Sequence, residues 1–158
     1  LGLAEQLDFK RGMASALNNL GIVYRRRGNY PQALDYHLKA LKISDENKDS
    51  NDIGQALNRI GLIYQGQGNF SAALEYFQRS REVYEKIGDL HGVGNAMTNI
   101  GEIYSRQGLY SLALEYLVKC KAIYEENNDL DGVAETGLEI GMVYGKQGNT
   151  TLALEYFQ

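Results

Sequence analysis

The residues of this chain best suited to chemistry are asparagines and arginines set three and four positions apart. Ser15, Asn18, Asn19, Ile22, Arg25 and Arg26 form one such set, and Gln55, Asn58, Arg59, Leu62 and Gln65 a second. Asn95, Thr98, Asn99, Glu102, Ser105 and Arg106 form a third, and Glu135, Leu138, Glu139, Met142 and Lys146 a fourth. Three-four spacing puts side chains on one face of a helix. A carboxamide offers both a donor and an acceptor, so Asn18, Asn19, Asn58 and Asn99 suit pairing with the backbone of a ligand. A guanidinium forks onto a carboxylate, which is the chemistry open to Arg25, Arg26, Arg59 and Arg106. These are groups for recognition, not for turnover.

Nothing else in the chain assembles into a catalytic or metal-binding set. Cys120 is the only cysteine and recurs in register as Ala40 and Ser80, which marks a small packing position and an inert buried thiol. His37 stands in register with Phe77, Leu117 and Phe157, and His91 falls between two helical stretches. Neither histidine has a Cys, His or carboxylate neighbour at ligand spacing, so no metal and no cofactor is expected. The run Gly66-Gln67-Gly68 lacks the Lys-Ser/Thr pair and the preceding strand of a phosphate loop. The expected catalytic set is therefore empty, and the chain reads as a non-enzyme.

What must position the recognition residues is a repeat. Gly21 returns as Gly61, Gly101 and Gly141, at 61 − 21 = 101 − 61 = 141 − 101 = 40. Tyr24, Gly28, Ala33-Leu34 and Tyr36 return on the same beat without a gap. Such a period signals an array in which each unit buries its apolar face against its neighbours. Within a unit the apolar spacing is helical twice. Ile53, Ala56, Leu57, Ile60, Ile63 and Tyr64 form one stripe; Ala73, Tyr76, Phe77, Ser80, Val83, Tyr84 and Ile87 form the next. Gln67-Gly68-Asn69 breaks the two apart. Pro31, aligned with Ser71, Ser111 and Thr151, marks the start of the second helix. No useful stretch alternates with period two.

A glycine inside a helix costs about 1 kcal/mol against alanine. Gly21 and its equivalents make sense if another helix passes close by, with Ala33 and its equivalents as the matching small positions and Tyr24 and its equivalents filling the space beside them. By register the units run 9–48, 49–88 and 89–128, then a truncated fourth at 129–158, with 1–8 as the tail of a preceding second helix. The opening at Leu1 and the end at Gln158 suggest a segment of a longer protein.

The totals agree. The chain has 158 residues, 44% hydrophobic and 23% charged, with one proline, which suits long helices. A net charge of −4 and a pI near 5.2 argue against a nucleic-acid or anionic-membrane binder. No apolar run is long enough to cross a membrane and no signal-peptide pattern is present, so a cytoplasmic location is expected.

The runs L-G-I-V-Y, I-G-L-I-Y, I-G-E-I-Y and I-G-M-V-Y, each followed by A-L-x-Y, resemble the tetratricopeptide repeat along essentially the whole chain. The 40-residue period is similar to that of the Pins/LGN cell-polarity adaptors and of bacterial tetratricopeptide sensor proteins. The tryptophan often found early in the first helix is replaced by Leu17, Leu57, Met97 and then Gly137, so a looser fourth unit is expected. The resemblance implies an all-α fold, a right-handed superhelical solenoid of antiparallel helix pairs. It also implies a concave groove lined by first helices that takes an extended or helical peptide.

On that implied face Arg25, Arg26, Arg59, Arg106 and Lys146 oppose Glu102, Glu135 and Glu139, so 5 − 3 = +2 on a chain of −4. The cations come early, and an acidic peptide segment over the first two units is the expected partner. Rival readings are a regulatory or sensor segment of a larger signalling protein, such as a histidine kinase or transcription regulator, and end-to-end self-association through exposed apolar helix faces.

Overall fold

The computed structural model describes residues 2–157. Among these residues are eight α-helices and no strand: α1 (Leu3–Arg26), α2 (Tyr30–Glu46), α3 (Ser50–Gly66), α4 (Phe70–Ile87), α5 (Leu90–Arg106), α6 (Tyr110–Glu126), α7 (Leu130–Lys146) and α8 (Thr150–Tyr156). The chain divides into two compact units, residues 1–87 and residues 88–158. In the first, α1 packs on α2, α2 on α3 and α3 on α4; in the second, α5 packs on α6, α6 on α7 and α7 on α8. The first helices of successive pairs also meet inside each unit, α1 with α3 and α5 with α7. This is the all-α, pairwise helical arrangement expected from the repeat.

Each helix pair is closed by one kind of turn. Gly28, Gly68, Gly108 and Gly148 all adopt left-handed φ values between 74° and 80°. The amide of the next residue then reaches five residues back, as in Asn69 N–H to the Tyr64 carbonyl at 2.9 Å, which satisfies a helix-end carbonyl. The connections between pairs use the same conformation with Lys48, Gly88 and Asn128 at the left-handed position. The capping differs from the sequence expectation. Asn29, Asn69 and Asn149, two residues before Pro31, Ser71 and Thr151, accept the first-turn amides of Gln32, Ala72 and Leu152. A carboxamide oxygen at that position reaches the third residue on, so the proline and hydroxyl residues sit inside the first turn. Asp49, Asp89 and Asp129 cap α3, α5 and α7 in the same way.

The helix crossings explain the repeated glycines. A Cβ on Gly61 would lie 2.6 Å from the Phe77 ring, and one on Gly141 would lie 2.5 Å from the Phe157 ring. The same place beside Gly21 is filled by the His37 ring, and beside Gly101 by Leu117. The side chain seated on each glycine is thus the large residue four positions after the expected alanine. Ala33, Ala73 and Ala113 are fully buried, and the Ala113 carbonyl oxygen lies 3.4 Å from a Cβ on Gly101, but the atoms nearest each such Cβ belong to the larger side chain. Beside each crossing two tyrosines pack ring to ring: Tyr24 with Tyr36 at 5.3 Å, Tyr64 with Tyr76 at 5.5 Å, Tyr104 with Tyr116 at 5.5 Å and Tyr144 with Tyr156 at 5.7 Å.

A second crossing near the start of α3 and α5 was not read from the repeat. A Cβ on Gly54 would fall 2.7 Å from the Tyr84 ring, and Gly94 makes the same close approach to Tyr124. In the first repeat, where Ser44 replaces the tyrosine, the equivalent position is Ala14. Glycine therefore appears where the partner is a ring.

The start of the chain also departs from the register. Residues 3–8, expected as the tail of a preceding second helix, continue α1 without a break. The left-handed position held by Lys48, Gly88 and Asn128 is Asp8 here, with Leu7 before it and Phe9 after it, and no glycine or asparagine supports a turn.

Two substitutions test the crossing. Replacing Gly61 with leucine drives a side chain into Phe77 and is expected to lower stability by about 1–3 kcal/mol or more. Gly137 has nothing within 4 Å of a Cβ, so Gly137→Ala is expected to raise stability by up to about 1 kcal/mol through helix propensity alone. Thermal or denaturant unfolding of both variants measures the contrast, and equal responses would defeat the close-crossing account.

Candidate peptide-binding face

In the unit of residues 1–87 the recognition stripe is carried by α1 and α3, whose opposite stripes face α2 and α4. Core burial fixes their rotation: Leu57, Ile60 and Ile63 are at most 2% exposed, each such burial contributing roughly 1.5–3 kcal/mol. Asn58 and Arg59 are thereby held half-buried beside the core stripe, as is Arg25 on α1, while Asn19 and Arg26 are exposed. Asn18 is not presented to a ligand. It is buried, and its Oδ1 accepts a hydrogen bond from His37 Nδ1 at 2.9 Å.

That hydrogen bond fixes the histidine. His37 is fully buried on Gly21, and its Nε2 has no hydrogen-bond partner. Burial first, then the positive charges of Arg59 and Arg25, pull its pKa from 6.5 down to about 4. The ring is neutral at pH 7, with the proton on Nδ1 and the lone pair on Nε2. The Arg59 guanidinium is itself destabilised by burial and by Arg25. Asn18, Arg25, His37 and Arg59 therefore form one electrostatic cluster.

In the unit of residues 88–158 the stripe lies on α5 and α7. Asn99 is half-buried there. Arg106 is exposed and already clamps Glu102 through Nε at 2.9 Å and Nη2 at 2.6 Å. Lys146 donates to Ser105 Oγ at 3.0 Å. Glu139 has its pKa raised, by burial first and then by the charge of Glu102. The early cations and late acids of the sequence thus sit in different units.

The structure also accounts for the residues set aside as structural. Cys120 is fully buried, its thiol pushed up in pKa by burial, and it donates to the Gly94 carbonyl at 3.2 Å. Ser80 makes the equivalent bond to the Gly54 carbonyl at 2.8 Å. His91, in the first turn of α5, does have a carboxylate neighbour: Asp129 Oδ2 lies 3.0 Å from its Nδ1. Those two residues are 38 apart in sequence, nearly one period, and Arg11 meets Asp49 in the same register at 2.5 Å. The signal for both pairs was present in the repeat, since position n of a first helix faces the capping Asp of the next. Among the described residues no group of three His, Cys, Asp or Glu side chains is placed to hold a metal. No helix among them is long and apolar enough to cross a membrane.

The paired helices, the glycine crossings and the repeated turns agree with the family comparison. A tetratricopeptide-repeat family model matches residues 12–86, 52–126 and 92–158, and the chain belongs to that family. Among curated proteins no relative matches. Several solved structures share the fold. Aspartyl phosphate phosphatase F from Bacillus subtilis is 21% identical, with a TM-score of 0.86 over 93% of this chain and 39% of its own. A Rap protein complexed with competence and sporulation factor is 20% identical, with a TM-score of 0.83 over 92% of this chain and 41% of its own. The Rap conjugation gene regulator of plasmid pLS20, solved with a Phr peptide, is 18% identical, with a TM-score of 0.78 over 87% of this chain and 38% of its own. The chain thus spans about two fifths of the length of each of these proteins.

The buried histidine gives a signed pH dependence. Its folded pKa of about 4 lies below the unfolded 6.5, so the fold favours the neutral ring. Its contribution is complete above about pH 6.5 and is lost as pH falls through 4, amounting to at most about 3 kcal/mol. His37→Phe, the residue type found at Phe77, is expected to flatten the fall in stability between those two pH values relative to the parent. Denaturant unfolding across pH 4–7 measures the difference in slope, which a uniform loss from stranding Asn18 leaves untouched.

Proposed function

We propose that this chain is a non-catalytic module that binds a peptide or protein segment along the first-helix stripe, in a cytoplasmic setting. The observation that carries this reading is the membership in the tetratricopeptide family together with the stripe itself. Asn58, Arg59, Arg25 and Asn99 are held half-buried on first helices whose other side is locked into the core. Half-buried amides and guanidiniums are fixed in direction before a ligand arrives, which lowers the ordering cost of binding. The preferred segment is acidic, because the cations of the stripe are concentrated in residues 1–87. Recognition uses the carboxamides for the ligand backbone and the guanidiniums for its carboxylates.

A second reading is favoured by the solved structures that share the fold. Two of them hold a competence and sporulation factor or a Phr peptide, and this chain spans only about 40% of each. In that reading the peptide-binding array is the sensor part of a longer signalling protein, and occupancy of the stripe is the signal. End-to-end self-association is the remaining alternative, tested by the dependence of mass on concentration.

The deciding experiment is a peptide-library binding screen on the chain and on an Asn58→Ala/Arg59→Ala double variant. Acidic peptides are expected to bind the parent, to weaken as salt is added and to be lost from the variant. Equal binding by parent and variant would place recognition elsewhere.

A further inference from the structure

One face of α1 is apolar, exposed and regularly spaced. Phe9, Met13, Ala16, Leu20 and Val23 follow one another at intervals of four, three, four and three positions, the spacing of a helix-packing seam. All five are exposed, the four large ones to between 38 and 69%. In α3, on which α2 packs, the residues in register with the last four are Ile53, Ala56, Ile60 and Ile63. Ile53 is half-buried and the other three are wholly buried. The face of α1 is thus of the kind that another helix covers. Position 9 enlarges it. There Asp49, Asp89 and Asp129 cap the other first helices, whereas Phe9 lies inside a helix that reaches back to Leu3 and adds a ring to the seam. Phe9, Met13 and Ile43 of α2 line an apolar groove of about 320 Å³, with the Lys10–Glu46 ion pair at 3.7 Å on its rim.

Two features make this seam complementary to itself. It is nearly symmetric about its smallest member, since 16 − 9 = 23 − 16 = 7, and Met13 and Leu20 stand three and four positions to either side of Ala16. Two copies of α1 laid antiparallel about a two-fold axis at Ala16 set Phe9 of each level with Val23 of the other, and Met13 with Leu20. The alanines then meet on the axis, where the helices come closest. The charges agree with that direction. Asp8 flanks one end of the seam and Arg26 the other, both exposed, so antiparallel packing brings Asp8 of one copy beside Arg26 of the other at both ends. Parallel packing would set like charges together. The nearby cations Lys10 and Arg11 already have Glu46 and Asp49 within their own chain.

We propose that α1 is a homodimerisation helix, through which two copies of this chain pack head to head in an antiparallel seam of Phe9, Met13, Ala16, Leu20 and Val23. An ion pair between Asp8 and Arg26 closes each end, and the groove beside Phe9 receives the Val23 side chain of the second copy. Removal of this exposed apolar face from water drives the association. The seam and the recognition stripe are different faces of α1 that share only Arg26 at their edge, so the inference stands apart from the peptide-binding reading. One helix seam is smaller than a standard interface of roughly 1,200–2,000 Å², which makes this a weak dimer with a Kd on the order of 10–100 µM.

Sedimentation equilibrium of the chain from about 1 µM to 1 mM is expected to show monomer and dimer and no larger species. Leu20→Glu places a charge in the seam at a position exposed in the monomer. It is expected to weaken the dimer about tenfold or more while leaving the helical circular dichroism spectrum unchanged. Asp8→Arg and Arg26→Asp are each expected to weaken it about threefold or more, and the double variant to recover the parent affinity. Disulfide trapping in a Cys120→Ser background reads the direction. Ala16→Cys is expected to cross-link to itself, and Phe9→Cys to Val23→Cys in preference to itself. A monomer throughout the concentration range, a dimer that Leu20→Glu leaves intact, a charge-reversed double variant no better than its single parents, or Phe9→Cys linking chiefly to itself overturns the seam. Each of these results leaves the peptide-binding reading standing, because the library screen tests that reading separately.

Discussion

The structure depends on one steric bargain, a glycine in each first helix under a ring or branched side chain from each second helix. Phe77 on Gly61 shows it most plainly, because the ring is fully buried and lies where a β-carbon would stand. The glycine sacrifices helix propensity, and the crossing regains it as dense packing and buried apolar surface. Everything else in a pair follows from that approach. The tyrosines stack because the helices are close, and the left-handed turn residue is needed because the chain must reverse within a few residues. The second crossing, Gly54 under Tyr84 and Gly94 under Tyr124, applies the same rule one level out.

Locking one side of each first helix decides what its other side presents. With Ile60 and Ile63 sealed into the core, Asn58 and Arg59 have little freedom to turn away. The charges on that side are unevenly neutralised. In residues 88–158 acids and bases share the stripe, and Glu102 and Arg106 satisfy one another. In residues 1–87 the stripe is basic and its deepest polar contact, His37 with Asn18, is spent inside the protein. The His37 ring is held neutral by burial and by the arginines near it, so the inward and outward faces of α1 are electrostatically linked.

The period, the helix pairs and the glycine crossings were legible because one residue type at one spacing can be checked four times along the chain. Caps were less legible, since Asn29 and Pro31 both suit a helix start and only geometry shows which one holds the amide. Burial was less legible still. Leu20 and Val23 match Ile60 and Ile63 in type and register, yet are 43% exposed where those two are wholly buried. Residue type fixes what a position can bury, and the neighbouring helix decides whether it does. At the candidate site the sequence placed the stripe on the first helices but not the state of each side chain. Nothing local distinguishes Asn18, consumed by a residue 19 positions away, from Asn19 beside it, whereas Glu102, four positions before Arg106, did mark that arginine as paired.

The short sequence separation of the aromatic stacks carries a kinetic consequence. Tyr24 meets Tyr36, and Tyr64 meets Tyr76, across only 36 − 24 = 76 − 64 = 12 positions. Closing so small a loop loses little chain entropy, and chains dominated by near-neighbour contacts cross their folding barriers in microseconds to milliseconds. Each hairpin is thus a candidate nucleus in its own right. The nascent chain can begin to acquire structure as soon as a single helix–turn–helix has left the ribosome, with no distant segment to wait for.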